Sequence, residues 1–257
     1  MKLTYKTENI YDMPKLFCPF ERETINGRYV VVPKIKDEFR WVFTGESIAT
    51  DKLDGTDVSI CVKDHDVLSI HNRMNPIKIF SHNGGRFVEG IIQAIEREYV
   101  NLDKSDDGQY FGELIGPVVN GNPYQLEKHL WMPISVIRER YYYKFWPEFA
   151  KELQGKTDAE IFNKMSDLFK GLWSIYKRSR KIQGEVNENT GFEGLASEGI
   201  VFFRAGQDVA LTSYENKTTS LQMCKLRRDM FSWFKGDERS KRTDEGGKMK
   251  NEGLDER

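Results

Sequence analysis

The run Lys52-Leu53-Asp54-Gly55 sets a lysine beside an Asp-Gly turn, at the mouth of the alternating stretch Thr56-Asp57-Val58-Ser59-Ile60-Cys61-Val62. A lysine in such a place can work as a covalent nucleophile, since only the neutral amine attacks and neighbouring cations favour that form. An ordinary Asp-Gly turn with a solvated lysine would read the same way. Other residues bear on the choice. Arg73 ends the stretch Ile70-His71-Asn72-Arg73, leaving the hairpin that begins at Lys52. Glu113 is a carboxylate inside the apolar stretch Phe111-Gly112-Glu113-Leu114-Ile115, and Glu198 stands before Gly199-Ile200-Val201-Phe202-Phe203. In Lys225-Leu226-Arg227 the alternation puts both cations on one face of a strand. Each also has a structural reading. The cation pair could blunt an edge strand, Glu113 could close an ion pair with Arg73, and Glu198-Gly199 could be a plain turn. Asp54 fits a residue that fixes the lysine's turn.

These groups need elements to hold them. Short β-like runs fall at Arg28 to Val32 and at Trp41-Val42-Phe43, bounded by Gly27, Pro33 and Gly45. Val58, Ile60 and Val62 share a strand face, and Val67 to Ile70 can return as a hairpin across Asp64-His65-Asp66. Phe87, Ile91, Ile92 and Ile95 then recur at helical spacing over residues 85–99. Strands are expected at Tyr110 to Ile115 and Leu130 to Val136, separated by the Gly, Pro and Asn-rich loop 116–124. Residues 145–181 read as helical: one helix near Pro147, then one opened by the capping box Thr157-Asp158-Ala159-Glu160, with Ile161, Met165, Leu168, Leu172 and Tyr176 as a single apolar stripe. Strand signals resume at Gly199 to Arg204, Val209 to Thr212 and Leu221 to Leu226. Residues 235–257 mix charge with glycine and are expected to be disordered.

The 257 residues suffice for one large domain, and 39% hydrophobic with 31% charged residues is ordinary for a soluble globular protein. A formal net charge of -1 leaves no global case for wrapping around nucleic acid, so any such surface is a local patch. Lys177-Arg178-Ser179-Arg180-Lys181, near Trp173 and Tyr176, is a candidate RNA-binding patch or, equally, a solvated basic helix end. Three scattered cysteines imply no disulfide framework, and the four histidines lack zinc spacing. No stretch approaches the about 18 consecutive apolar residues of a membrane span, and no apolar leader opens the chain. The expectation is a cytoplasmic protein with no membrane partner.

In order and content, Lys52 to Gly55, Arg73, Glu113, Glu198-Gly199 and Lys225 with Arg227 resemble the covalent nucleotidyltransferases, the superfamily of ATP-dependent DNA and RNA ligases and mRNA capping enzymes. The resemblance covers about residues 40–230. It implies that Lys52 is the nucleophile and that Arg73 contacts the nucleotide ribose and helps position the nucleic-acid end. Glu113 would accept hydrogen bonds from ribose hydroxyls, and Glu198 would be a ligand for Mg²⁺ or Mn²⁺. Lys225 and Arg227 would spread the charge on the α-phosphate. Asp51 would help recognise adenine. An aromatic between Glu113 and Glu198 usually stacks on the base; Pro133 stands near that place, with Trp131 as a substitute. Arg227 replaces a commoner lysine and can still clamp phosphate.

Ala49 to Thr56, Gly112 to Pro117 and Asn120 to Tyr124 look like the RNA ligases, similar to the second class of phage RNA ligase and its bacterial and eukaryotic relatives. The implied fold is α+β: an ATP-grasp-like ligase domain over residues 1–234, with antiparallel sheets flanking a nucleotide pocket, a helical insertion at 145–181 and no OB-fold. Only about thirty residues follow Arg227, too few for a five-stranded barrel. The implied activity is ATP-dependent joining of RNA 3′-hydroxyl and 5′-phosphate ends through a lysyl-AMP on Lys52. A helper domain or partner could supply further RNA binding, and a phage-infected or bacterial cytosol is the implied setting. The alternatives are a GTP-dependent capping guanylyltransferase, or a nucleotide- or RNA-binding module that self-adenylates without sealing.

Overall fold

Among the described residues, the strands named below pair antiparallel throughout. The computed structural model describes residues 10–13, 15–177, 195–206 and 222–236. Strands β1 (Phe20–Ile25) and β2 (Arg28–Ile35) form a hairpin. A three-stranded sheet contains β3 (Ser47–Asp51), β9 (Gly199–Arg204) and β10 (Met223–Arg227), with β9 in the middle. A five-stranded sheet contains β4 (Thr56–Lys63), β5 (Asp66–Asn72), β6 (Asn75–Pro76), β7 (Gly108–Ile115) and β8 (Leu130–Pro133), in the order β6-β5-β4-β7-β8. Among the described residues, the helices α1 (Gly85–Glu96), α2 (Ile134–Arg140), α3 (Trp146–Leu153) and α4 (Asp158–Lys170) accompany them.

The period-2 alternation of the strands decides what each sheet buries. In the five-stranded sheet, Val58 and Ile60 share a face with Leu114 and Trp131 through the pairings Thr56↔Leu114 and Leu114↔Trp131. Phe87, Ile91 and Ala94 of α1 belong to the same core. Trp131 is fully buried there and donates its indole N–H to Val58 O at 2.9 Å. Gly112 makes room for it, since a Cβ would stand 2.6 Å from Trp131 Nε1. In the three-stranded sheet, Ala49, Ile200, Phe202, Cys224 and Leu226 join a second core with Trp146 and Ala150 of α3, Ile161, Met165 and Phe169 of α4, and residues of the β1–β2 hairpin. Burying each such side chain contributes about 1.5–3 kcal/mol before entropy is counted, so both sheets are backed by packed walls.

Several sequence expectations change. Trp41, Val42 and Phe43 lie in a 3₁₀ turn over Asp37–Phe43 rather than a strand; their burial comes from a compact knot of aromatic side chains, and the apolar run alone cannot distinguish the two. The strand expected through Val136 stops at Pro133, which has no N–H for the ladder, and α2 starts at the next residue. The stripe from Ile161 to Tyr176 is not one helix. The capping box at Thr157 is formed, but α4 ends at Lys170 with Gly171 as its C-cap. Tyr176 joins the core of the five-stranded sheet instead. Ile92 and Ile95 of α1 are exposed, so that helix buries only part of its expected stripe. Cys61 is half-buried. The strand expected at Val209 to Thr212, the cations Arg178, Arg180 and Lys181, and residues 237–257 of the expected tail lie outside the described residues. Among the described residues no helix is long and apolar enough to cross a membrane.

Gly199 is where the three-stranded sheet closes most tightly, since a Cβ there would sit 2.2 Å from Leu226 O and 2.9 Å from Arg227 Cα. Gly199→Ala therefore forces β9 away from β10. The expected result is a loss of about 2 kcal/mol and a melting temperature about 4–8 °C lower by circular dichroism, as overpacking of this size gives in domains of this length.

Candidate active site

The chain leaves the three-stranded sheet at Asp51 and enters the five-stranded sheet at Thr56, so Lys52-Leu53-Asp54-Gly55 is the crossing between the two sheets. Its main chain is held on both sides. Lys52 N donates to Gly199 O at 3.0 Å, and Asp54 N donates to Tyr124 Oη at 2.7 Å. Asn120 Nδ2 donates to Asp54 Oδ1 at 2.9 Å and to Gly55 O at 2.8 Å. The irregular loop after β7 thus braces the lysine's turn, and Asp54 is part of that brace. Gly55 has no room for a side chain: a Cβ would meet Leu114 O at 2.7 Å and Glu113 Oε2 at 3.0 Å.

Lys52, Arg73, Glu113, Asp57 and Lys225 line one cavity of about 270 Å³. Its floor is the face of the three-stranded sheet turned away from the packed core. Cross-strand pairs Phe203↔Met223, Val201↔Lys225 and Gly199↔Arg227 follow one another along it. Read in that order the floor passes from apolar to cationic within four residues, about 13 Å at the rise of a strand. Ile134 and Ile137 of α2 line the cavity together with Val201, Phe203 and Met223. On the five-stranded sheet, Asp57 is paired directly with Glu113 and Glu113 with Met132. A slot with an apolar end, two carboxylates and a cationic end suits a ligand that joins a flat apolar ring to an anion.

At the cationic end Lys52 Nζ lies 2.6 Å from Glu198 Oε2, both side chains largely buried. The other oxygen of Glu198 is 3.9 Å from Arg227 Nη1, and Arg227 Nη2 pairs with Asp229 at 3.0 Å. Glu198 and Arg227 are not among the residues lining the cavity; Glu198 joins Lys52, which does line it, to Arg227. Burial pushes the Glu113 carboxyl up to about 8, with Lys52 and Lys225 opposing and Asp57 and Glu198 adding to the rise. A proton therefore stays on Glu113 near neutral pH, making it both a donor and an acceptor. Asp57 rises to about 6, chiefly from burial and then from Asp12, with Arg73 opposing. Lys225 is lowered, first by burial and then by the charges of Lys52 and Arg227. Desolvation leads in all three cases, as expected of charges gathered in a cleft between two sheets.

Among the described residues no three His, Cys, Asp or Glu side chains converge to cage a metal. Glu198 does offer a hard oxygen donor beside Lys52. Mg²⁺ commonly takes one or two carboxylates and completes its shell with water and phosphate oxygens, and Glu198 fits that role.

Asp51 also lines the cavity. Its carboxylate faces the packed side of the sheet, 1% exposed, and every nearby donor is an internal one. Ser174 Oγ donates to Oδ2 at 2.6 Å and Tyr176 N to the same oxygen at 3.2 Å. Ser197 Oγ and Tyr143 Oη donate to Oδ1 at 2.7 and 3.2 Å. Burial still raises the Asp51 carboxyl above its ordinary range. It is a buried tie, drawing residues 174–176 and Ser197, and with Ser197 the neighbouring Glu198, toward Lys52.

Trp131 and Pro133 are not among the residues lining the cavity. Both are two-residue steps along β8 on the α1 side, and Ile134 and Ile137 supply an aliphatic wall instead. Arg73 is exposed, with Asp12 Oδ2 at 3.5 Å rather than Glu113 as its recorded partner. Lys177 Nζ donates to Tyr124 O at 3.0 Å and Tyr176 is buried, so within the described part of the basic cluster the side chains serve the loop and the core. Sequence reading missed Asp57, Ile134, Ile137, Val201, Phe203 and Met223, and with them Met13, Lys15 and Leu16. Pro133 was the available signal for α2, since proline favours a helix start over a strand interior. The face of β4 opposite Val58 and Ile60 brings Asp57 to the cavity.

No family model and no curated protein matches the sequence. Solved structures of an RNA ligase from Naegleria gruberi are similar to it at low levels. An apo mutant is 13% identical with a TM-score of 0.43, covering 92% of this chain and 61% of that one. The ligase with PPi is 14% identical with a TM-score of 0.41, covering 88% and 61%. A mutant with AMP and Mn is 13% identical with a TM-score of 0.42, covering 85% and 58%. This chain thus spans about three-fifths of the length of those ligase chains.

Two outcomes follow from the electrostatics. Glu113 binds its proton more tightly folded than unfolded, so its contribution to stability is full below its ordinary 4.5 and is lost as pH rises to about 8. Denaturant melts at pH 4.5 and pH 8 should show wild type losing more stability across that interval than Glu113→Gln; equal losses would refute the assignment. Asp51→Ala strands the Ser174 hydroxyl and the Tyr176 N–H and takes one acceptor from Ser197 and Tyr143, and a loss on the order of 3 kcal/mol is expected in urea unfolding.

Proposed function

We propose that the protein is an ATP-dependent RNA ligase whose nucleophile is Lys52. The supporting observation is that Lys52, Arg73, Glu113 and Lys225, distant in sequence, line one cavity that is apolar at one end and cationic at the other. The resemblance of the same residues to nucleotidyltransferase motifs supplies the chemistry. The Lys52 amine attacks the α-phosphorus of ATP, an N–P bond forms as the bond to the β-phosphate bridging oxygen breaks, and pyrophosphate leaves. The AMP then passes from Lys52 to an RNA 5′-phosphate, restoring the amine. Finally the RNA 3′-hydroxyl attacks the adenylated 5′-phosphate, and AMP leaves as the phosphodiester forms.

In this reading Lys225 lies along the cleft floor to meet the α-phosphate, with Arg227 two residues further on. Glu113, carrying a proton, hydrogen-bonds the ribose hydroxyls, and Arg73 at the exposed rim meets the ribose and the incoming RNA end. Glu198 holds the Lys52 side chain and is the residue that would share a Mg²⁺ or Mn²⁺ ion. Such an ion supplies neutralisation of the triphosphate charge. Nucleotidyl transfer would then be the work of one domain over residues 1–234, acting on RNA ends in the cytoplasm.

Mass spectrometry after incubation with ATP and Mg²⁺ tests the reading: wild type should gain one AMP, and Lys52→Ala none. Lys225→Ala should adenylate about 10²–10³ times more slowly, the usual effect of removing one preorganised charge from a transition state. Labelling by GTP in place of ATP would turn the reading to a capping guanylyltransferase. Labelling by ATP without sealing of nicked, hairpin or single-stranded RNA would turn it to a self-adenylating binding module.

A further inference from the structure

Before β1, the described residues 11–13 and 15–17 touch both sheets across the cleft. At one end Phe17 pairs in parallel with Cys224 of β10, and Lys225 N donates to Phe17 O at 2.8 Å. At the other end Tyr11 exchanges two hydrogen bonds with Gln109 of β7, its N donating to Oε1 at 2.9 Å and its O accepting from Nε2 at 2.8 Å. Asp12 adds a 3.5 Å contact to Arg73 at the rim. Between these anchors Met13 and Leu16 pack with Phe203, Met223, Ile134 and Val201, the residues at the apolar end of the cavity, and both line it.

The aromatic at that end is Phe203, from the floor; β8, where the resemblance puts a stacking aromatic, contributes none to the lining. Trp131 is committed to the opposite face of its sheet, and the walls are Ile134 and Ile137 from α2 with Val201, Phe203 and Met223 from the floor. A flat base held by dispersion needs apolar atoms on more than one side. Met suits such a contact, because its thioether is polarisable and adapts to a ring edge or face.

We propose that Met13 and Leu16 are base-contacting residues, the segment acting as a strap that closes the apolar end of the site over a purine base. The inference rests on the nucleotide reading of the cavity and deepens it. Met13 and Leu16 belong to the base; Lys15, between them in sequence, also lines the cavity and is left unchanged in the test. The strap's anchors on β7 and β10 hold it in place without a ligand, and its apolar side chains have nothing to offer a phosphate.

The test compares ligands with and without a base. Binding of α,β-methylene-ATP is measured by calorimetry, binding of inorganic triphosphate alongside it, and self-adenylation kinetics with ATP complete the set. For Met13→Ala with Leu16→Ala, ATP-analogue affinity should fall about tenfold, the usual effect of trimming a hydrophobic pocket. KM for ATP should rise in step, with the saturating adenylation rate and triphosphate affinity within about twofold of wild type. Met13→Leu, which conserves volume, should bind like wild type. Each single alanine variant, milder than the pair, should show part of the effect with an unchanged melting temperature. Unchanged analogue affinity in the double variant, or equal losses for triphosphate and analogue, overturns the strap's role while leaving the nucleotide site intact. A wild type that neither binds the analogue nor is labelled by any nucleoside triphosphate removes the site reading itself, and the strap's role with it.

Discussion

Two consecutive residues at the end of one strand face opposite ways, and the site depends on that. Asp51 turns into the packed side of the three-stranded sheet, where four donors surround its carboxylate. Lys52 turns to the cleft and meets Glu198. The two are coupled, because Ser197 bonds Asp51 and its neighbour Glu198 bonds Lys52. The chain returns to this point after a long excursion, and the buried carboxylate is what fixes the return. An uncompensated charge in that position would be costly, but four hydrogen bonds make it a tie.

Two sheets, each backed by its own core, leave their other faces free to form the walls of a cleft. The crossing at Lys52 to Gly55 is the seam between them. Charges gathered at such a seam lose water on both sides, which is why burial leads the shifts of Glu113, Asp57 and Lys225. The cleft keeps cations and carboxylates close enough to offset one another in part. The result is a protonated Glu113 beside cations, a combination that neither sheet could produce alone.

The irregular segments carry as much of the site as the strands. The loop after β7 grips the lysine's turn through Tyr124 and Asn120. The described residues before β1 touch both sides of the cleft, at Gln109 and at β10. Both use backbone groups that no ladder claims, and both bring side chains to places that strand alternation cannot reach. Pro133 does something similar by halting β8, so that Ile134 and Ile137 come off a helix turn and line the cavity.

Local pattern alone determined the alternating faces of β4, β7, β9 and β10, the capping box of α4, and the chemical types of Lys52, Arg73, Glu113, Glu198, Lys225 and Arg227. These are short-range properties, set by a period of two residues, by a Thr-to-Glu spacing and by side-chain chemistry. Tertiary structure alone decided the rest. It tied the Asp51 carboxylate to internal donors and set Trp131 in the core of the five-stranded sheet. It paired Arg73 with Asp12, and carried Met13 and Leu16 across to the far sheet. It also split the stripe from Ile161 to Tyr176 between two cores. The reason is that a face buried against a core and a face turned to a cleft have the same local pattern, and which is which depends on what packs against it from far along the chain.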